Sequence, residues 1–184
     1  MATKKILIVI DVQNDFITGA LANKEAIKAL PNLVNLVNTE KFDETYVTMD
    51  THGENYKETL EGKKLPVPHC IRGTEGWIMP EDFHDVLIKR QNVKQIFEKP
   101  TFGSRTLVDA FTNQLWHDEK AFEGAEFTFV GFCTDICVVS NALMLRAAFP
   151  NNVIKVRKDC VAGVTKESNK AALLTMKMCQ IEVI

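Results

Sequence analysis

A pair of cysteines, Cys133 and Cys137, gives the segment 131–141 its chemical interest. The segment lies between an apolar run typical of a strand and a run with helical character. Thr134 and Asp135 are residue types that favour an N-cap, which predicts Cys137 in the first turn of a helix. The helix dipole would lower the pKa of a thiol there, and unpaired backbone N–H groups would stabilise an oxyanion. The segment therefore favours a nucleophilic cysteine, without deciding between the two thiols or excluding two inert ones.

Charged residues also stand where predicted strands end, namely Asp11, Asp50 and Lys99. The carboxyl ends of parallel strands lie at one edge of a sheet, and ligands bind outside that edge where the strand order reverses. If the first and fourth strands are central neighbours, Asp11 and Cys137 flank that crevice. Taken singly, Asp11 reads as a strand-end cap and Lys99 as a solvated surface lysine. Together they favour a base and a cation beside a nucleophile.

The elements that must position these residues alternate along the chain. Apolar runs predict strands at 5–10, 44–49, 93–98, 126–131, 152–157 and 181–184. Helical spacing predicts helices at 26–37, 81–90, 106–115, 135–148 and 166–179. This alternation favours an α/β fold, a Rossmann-like three-layer α/β/α arrangement with a mainly parallel six-stranded sheet, in one domain spanning 1–184. The exception is 51–80, an irregular loop of about thirty residues, and loops of that length are usually functional.

Composition removes several classes of function. The chain is 46% hydrophobic and 25% charged, with a net charge of −2, so neither nucleic acid nor an anionic membrane is an expected partner. No apolar run is long enough to span a membrane, and Asp11 interrupts the first one too early for a signal peptide. The five cysteines are scattered and odd in number, which suits reduced thiols rather than disulfides. We expect a cytoplasmic protein.

Two motifs in this order resemble the isochorismatase-like cysteine hydrolases. They are Ile-Val-Ile-Asp-Val-Gln-Asn-Asp-Phe at 8–16 and Gly-Phe-Cys-Thr-Asp-Ile-Cys-Val at 131–138, with Lys99 following a strand between them. The resemblance runs from residue 4 to about residue 178. It implies the fold described above and a cysteine hydrolase activity.

The resemblance also implies roles for individual residues. The catalytic triad would be Asp11, Lys99 and Cys137, with a cis peptide bond between Phe132 and Cys133. The oxyanion hole would use the backbone N–H groups of Cys133 and Cys137. In this reaction the Cys137 thiolate attacks a carbonyl, forms a thioester and expels an amine or ammonia. Asp11 moves the protons, and Lys99 stabilises the thiolate.

The long loop resembles the metal-binding segment of nicotinamidase-like members of the same family. Asp50, His52 and His69 have the spacing of that segment, and Glu61 is the best match for a further side chain, ahead of Glu54. Imidazole with carboxylate suits Zn, Fe or Mn. The alternative is that the histidines are ordinary polar loop residues. We expect a divalent metal ion bound by Asp50, His52, Glu61 and His69.

Departures from the nicotinamidase pattern leave the substrate open. The segment 65–67, Leu-Pro-Val, has no aromatic residue where such members pack a ring on the pyridine. Thr51 replaces the tryptophan of the usual metal motif. Phe16 and Phe102 are expected to line the substrate pocket, and Trp77 is a further candidate.

The resemblance, together with these residues, implies a metal-assisted cysteine amidase that converts nicotinamide to nicotinate and ammonia, an NAD salvage reaction. One alternative is a related hydrolase of a ureido, N-carbamoyl or other small amide without an essential metal. A less favoured one is a non-catalytic binding or redox-responsive relative. Isochorismatase itself cleaves a vinyl ether without a nucleophilic cysteine, so Cys137 argues against that activity. The family's dimers and tetramers imply a homo-oligomer.

Overall fold

The computed structural model describes residues 3–184, and its centre is a six-stranded parallel sheet. The strands are β1 (Lys5–Ile10), β2 (Glu44–Asp50), β3 (Val93–Lys99), β4 (Glu126–Phe132), β5 (Val153–Ala162) and β6 (Glu182–Val183). Their order across the sheet is β3-β2-β1-β4-β5-β6. Every neighbouring pair is parallel. The strand order reverses between β1 and β4, which are the central neighbours that a crevice between Asp11 and Cys137 requires.

All of the helices but the second cover a face of the sheet, and the second lies in the long loop. The helices are α1 (Lys24–Thr39), α2 (Leu60–Lys64), α3 (Glu81–Ile88), α4 (Arg105–His117), α5 (Val139–Ala148) and α6 (Lys166–Met178). The central strand β1 alternates between the two layers: Ile6, Ile8 and Ile10 pack with α4, α5 and α6, whereas Leu7 and Val9 pack with α1 and α3. Because β1 is buried on both faces, residues 6–10 form one continuous apolar run. The three-layer α/β/α fold is confirmed.

Side-chain caps set where several helices begin. Oxygen atoms of Asn23, Ser104 and Thr165 accept backbone N–H groups in the first turns of α1, α4 and α6. These caps satisfy donors that a helix start otherwise leaves unpaired. No helix within residues 3–184 is long and apolar enough to cross a membrane.

The structure corrects the expected helix start beside the cysteines. Residues Thr134–Val138 form a π-helical turn, in which the Val138 N–H donates to the Cys133 carbonyl at 3.0 Å, and α5 begins only at Val139. Neither Thr134 nor Asp135 occupies the N-cap position, which belongs to Cys133. The Asp135 carboxylate instead accepts the backbone N–H of Val164 at 3.1 Å, because that loop packs over the turn. Such π-turns are frequent at functional sites.

The long loop is more structured than its composition predicts. A 3₁₀ turn, Tyr56–Glu58, and the short helix α2 lie inside 51–80. His52 forms a parallel bridge with Ile71, and its N–H donates to the Cys70 carbonyl at 2.9 Å. The two ends of the loop therefore lie side by side at the carboxyl edge of the sheet.

Candidate active site

A buried carboxylate, a buried ammonium and a buried thiol meet at the carboxyl edge of the sheet. Lys99 Nζ lies 2.6 Å from Asp11 Oδ2 and 3.6 Å from Cys137 Sγ. It also lies 3.5 Å from Asp50 Oδ1. Asp11 is 0% exposed, Lys99 2% and Cys137 4%, so little water reaches these groups. One cation is shared by three groups that carry or can acquire negative charge.

The sheet brings these residues together from distant points in the sequence. Asp11 follows β1, Lys99 ends β3 opposite Asp50 at the end of β2, and Cys137 follows β4. Asp11 has a positive φ of 48°, and its N–H donates to the Thr48 carbonyl at 3.1 Å. The Thr48 hydroxyl donates to Asp11 Oδ1 at 2.7 Å. Contacts from β2 thus orient the Asp11 carboxylate towards Lys99.

Electrostatics in this cluster differ from the expectation based on the helix dipole. Burial raises the pKa of the Cys137 thiol well above its usual value, and the Asp11 charge raises it further, with Lys99 opposing. Burial also raises the pKa of Asp11, against the effect of Lys99. Burial lowers the pKa of Lys99, but Asp11, Cys137 and Asp50 outweigh it and leave that pKa raised. The shift of the Cys137 pKa is therefore opposite in direction to the one expected from the helix dipole, because burial is its largest cause.

The peptide bond between Phe132 and Cys133 is cis, as the family resemblance implies. Burial is the main cause that raises the pKa of Cys133 to about 12. Gly131 precedes this bond with a φ of 115°, and a Cβ there would lie 2.0 Å from the Ile10 carbonyl oxygen. Glycine is therefore required where β4 approaches β1 beside the cysteine turn.

A second polar cluster lies next to the first. Ligand atoms of Asp50, His52 and His69 all lie within 4.8 Å of one another, and the three residues are buried. Asp50 Oδ2 is 3.0 Å from His52 Nε2 and 3.4 Å from His69 Nε2. Glu61 Oε1 lies 3.7 Å and 3.6 Å from the same two nitrogens. Glu54, the weaker candidate, is exposed and does not join this cluster.

The donor atoms fit a divalent metal ion. His69 Nδ1 lies 2.9 Å from the Val67 carbonyl, a contact that holds a proton on Nδ1 and leaves Nε2 free to coordinate. Two carboxylates and two imidazole nitrogens, largely shielded from water, form a ligand set suited to Zn, Fe or Mn.

Residues of both clusters line one cavity of about 900 Å³. Its lining includes Cys137, His69 and Glu61, together with Phe16, which is buried, and Phe102, which is 48% exposed. The first residues of α1 and α6 also line it. The structure thus places both predicted aromatic residues at the cavity.

Trp77, the further aromatic candidate, lies elsewhere. Its Nε1 donates to the Thr51 hydroxyl at 2.9 Å, and its ring packs against the core beneath α1 and α3. Trp77 therefore supports the loop behind the metal donors.

Sequence reasoning missed residues that support the site. Gln13 is buried and hydrogen-bonded to the backbone of Asp50. Asp15 is buried and hydrogen-bonded to the segment that carries His69. The Thr48 hydroxyl donates to the Asp11 carboxylate. The signal for the first two was their place in the motif at 8–16, directly after the predicted strand.

The sheet is open and parallel, and buried ionisable groups lie at its carboxyl edge where the strand order reverses. This arrangement is typical of an α/β enzyme with a cleft at that point. The isochorismatase domain model matches residues 5–184, and the chain belongs to the isochorismatase family. A nicotinamidase/pyrazinamidase of Mycobacterium tuberculosis is 28% identical, over 98% of each chain. An isochorismatase family protein of Bacillus subtilis, PncA, is 30% identical over 92% of each. The crystal structure of nicotinamidase/pyrazinamidase PncA from Bacillus subtilis has a TM-score of 0.82 at 28% identity, covering 98% of this chain and 99% of that one.

Proposed function

We propose that the protein is a metal-assisted cysteine amidase, and that nicotinamide is its substrate. The observation that carries the proposal is the contact of Lys99 with Asp11 and Cys137, since Cys137 lines the same cavity as the metal donors Asp50, Glu61 and His69. Relatives named nicotinamidase that align over nearly the whole chain support the same substrate class. This activity would place the protein in NAD salvage.

In the first half-reaction, Cys137 Sγ attacks the amide carbonyl carbon while Asp11 takes the thiol proton. The new C–S bond places negative charge on the carbonyl oxygen, which the backbone N–H groups of Cys133 and Cys137 stabilise. Collapse breaks the C–N bond, and the proton held by Asp11 passes to the departing nitrogen. Ammonia leaves, and a thioester remains on Cys137.

In the second half-reaction, water attacks the thioester carbon as Asp11 removes a proton from it. The C–S bond breaks, the carboxylic acid leaves, and Asp11 returns its proton to the Cys137 sulfur. Lys99 stays protonated throughout, because its raised pKa keeps a cation between Asp11 and the sulfur. The sum is amide plus water to carboxylic acid plus ammonia.

Asp50, His52 and His69 would hold the metal ion, with Glu61 as a further ligand. When bound, a divalent metal supplies a Lewis acid that anchors a polar substrate atom. Phe16 and Phe102 would contact the flat face of the ring from the cavity wall.

The metal donors favour this activity over a metal-independent hydrolase of ureido or N-carbamoyl compounds. Two carboxylates whose oxygens lie within 3.7 Å of two imidazole nitrogens suit metal binding, which that alternative does not require. The buried triad likewise disfavours a non-catalytic relative, since burying ionised groups is costly without a function.

The test is ammonia release from nicotinamide by protein loaded with Zn²⁺ or Mn²⁺. Wild type is expected to turn over, and Cys137→Ala is expected to be inactive. Asp43→Asn is the matched control, because Asp43 binds the Lys5 N–H at the opposite edge of the sheet. Turnover of N-carbamoyl compounds but not nicotinamide, with or without metal, would favour the alternative.

A further inference from the structure

Asp15 takes no part in the proposed chemistry, yet it contacts the segments that build the site. It is 8% exposed. Its Oδ2 accepts the backbone N–H of Cys70 at 2.7 Å, one residue after His69. Its Oδ1 accepts the backbone N–H of Ala20 at 2.8 Å, in a stretch that lines the cavity. One carboxylate therefore ties the His69 segment to the cavity wall.

Close packing holds this carboxylate in place. A Cβ at Gly76 would lie 2.1 Å from Asp15 Oδ2, and a Cβ at Gly19 would lie 2.3 Å from Oδ1. The Asp15 N–H also donates to the Gly76 carbonyl at 3.0 Å. Cys70 itself has a positive φ of 46°, a conformation that residues other than glycine rarely adopt. The charged acceptor of Asp15 anchors that unfavourable backbone next to His69.

Gln13 performs a parallel task for Asp50. Its side-chain amide donates to the Asp50 carbonyl and to the Trp77 carbonyl, both at 2.8 Å. Its Oε1 accepts the Asp50 N–H at 2.7 Å. The backbone of Asp50 is thus bound on both its polar groups, and the far end of the long loop is tied to the same amide.

We propose that Asp15 is a positioning residue of the metal site. By holding the Cys70 N–H it sets the place of His69 relative to Asp50, whose own backbone Gln13 holds. Through Ala20 it links that placement to the cavity wall. This inference rests on the metal site of the proposed function and concerns the affinity of that site.

The experiment measures the dissociation constant for Zn²⁺ by competition with a fluorescent chelator, in wild type and Asp15→Asn. Asparagine keeps the size of the side chain but offers one oxygen to two N–H donors. Zn²⁺ affinity is expected to fall about tenfold or more, the usual cost of losing a residue that orients a ligand. Asp43→Asn is the control, since Asp43 Oδ2 accepts the Lys5 N–H at the same distance of 2.7 Å, and its affinity is expected to match wild type.

Gly76→Ala provides a second variant that keeps the Asp15 charge. The added methyl group must displace the carboxylate, so Zn²⁺ affinity is expected to fall here too, even if Asp15→Asn does not fold. If Asp15→Asn and Gly76→Ala keep the Zn²⁺ affinity of wild type and only lower the melting temperature of the metal-free protein, Asp15 has a purely structural role and the proposal is overturned. A wild type that binds no Zn²⁺ would also overturn it. Nicotinamide hydrolysis is measured separately, so a wild type that binds Zn²⁺ but lacks this activity contradicts only the substrate.

Discussion

Replacing Lys99 with methionine removes the cation that Asp11, Asp50 and Cys137 share. The buried Asp11 carboxylate then loses its partner at 2.6 Å and takes up a proton in the folded protein. Holding a carboxyl of ordinary pKa 3.8 protonated costs about 4.5 kcal/mol at pH 7 and about 1.7 kcal/mol at pH 5, at roughly 1.4 kcal/mol per pKa unit. Breaking a buried ion pair on one side typically costs about 3–5 kcal/mol, a similar range.

The sign of the pH dependence follows from proton counts. Above pH 3.8 the unfolded chain has released the Asp11 proton, whereas the folded Lys99→Met variant retains it. The folded state binds more protons, so the stability of this variant relative to wild type falls as pH rises. In wild type, Lys99 lowers the pKa of Asp11 and so reduces the loss of stability with rising pH.

The assay is urea unfolding of metal-free protein at pH 5 and pH 7. Lys155→Met is the control, because Lys155 forms a partly exposed pair with Glu126 at 2.7 Å and should lose about 1 kcal/mol or less. The double variant that combines Asp11→Asn with Lys99→Met should recover most of the lost free energy of unfolding at pH 7, because it leaves no carboxyl group at position 11 to protonate. A Lys99→Met variant within about 1 kcal/mol of wild type, or a loss independent of pH, would refute the buried ion pair.

Two further predictions concern activity. Chelation should abolish most ammonia release from nicotinamide, and added Zn²⁺ or Mn²⁺ should restore it. The His69→Ala variant should bind metal poorly, whereas His84→Ala, a change at an exposed histidine, should bind metal as wild type does. Full activity in metal-free wild type would contradict this prediction. Because burial raises the pKa of Asp11, kcat/KM should fall with decreasing pH through a value above 3.8, and an acid limb at the ordinary carboxyl value would count against Asp11 as the base.

Much of the fold follows from patterns that depend on local sequence. The apolar runs in β1 and β4 mark strands buried on both faces, and polar residues after them mark one edge of a parallel sheet. That reasoning brings Asp11, Lys99 and the two cysteines of the segment 131–141 to one edge, and the family resemblance then selects Cys137. The second cluster was expected from the resemblance of Asp50, His52 and His69 to a metal-binding segment, and the structure brings the three together because the loop returns to the same edge of the sheet.

Properties set by tertiary surroundings could not be read in advance. Thr134 and Asp135 have the composition of a helix cap, but packing of the Val164 loop takes the Asp135 carboxylate and leaves a π-turn. The pKa of Cys137 is raised mainly by burial and by the Asp11 charge, and both depend on tertiary packing rather than on the local sequence. The helix α2 was missed because Gly62 weakens the helical pattern, although Thr59 caps it.

Trapping the acyl-enzyme tests the central claim most directly. Metal-loaded wild type is mixed with excess nicotinamide, quenched in acid within the first turnovers, digested and analysed by mass spectrometry. The predicted result is a nicotinoyl group on the Cys137 sulfur, present also in Cys133→Ala and absent from Cys137→Ala. Ammonia release without any acyl adduct on Cys137, or an adduct on another residue, would contradict the account.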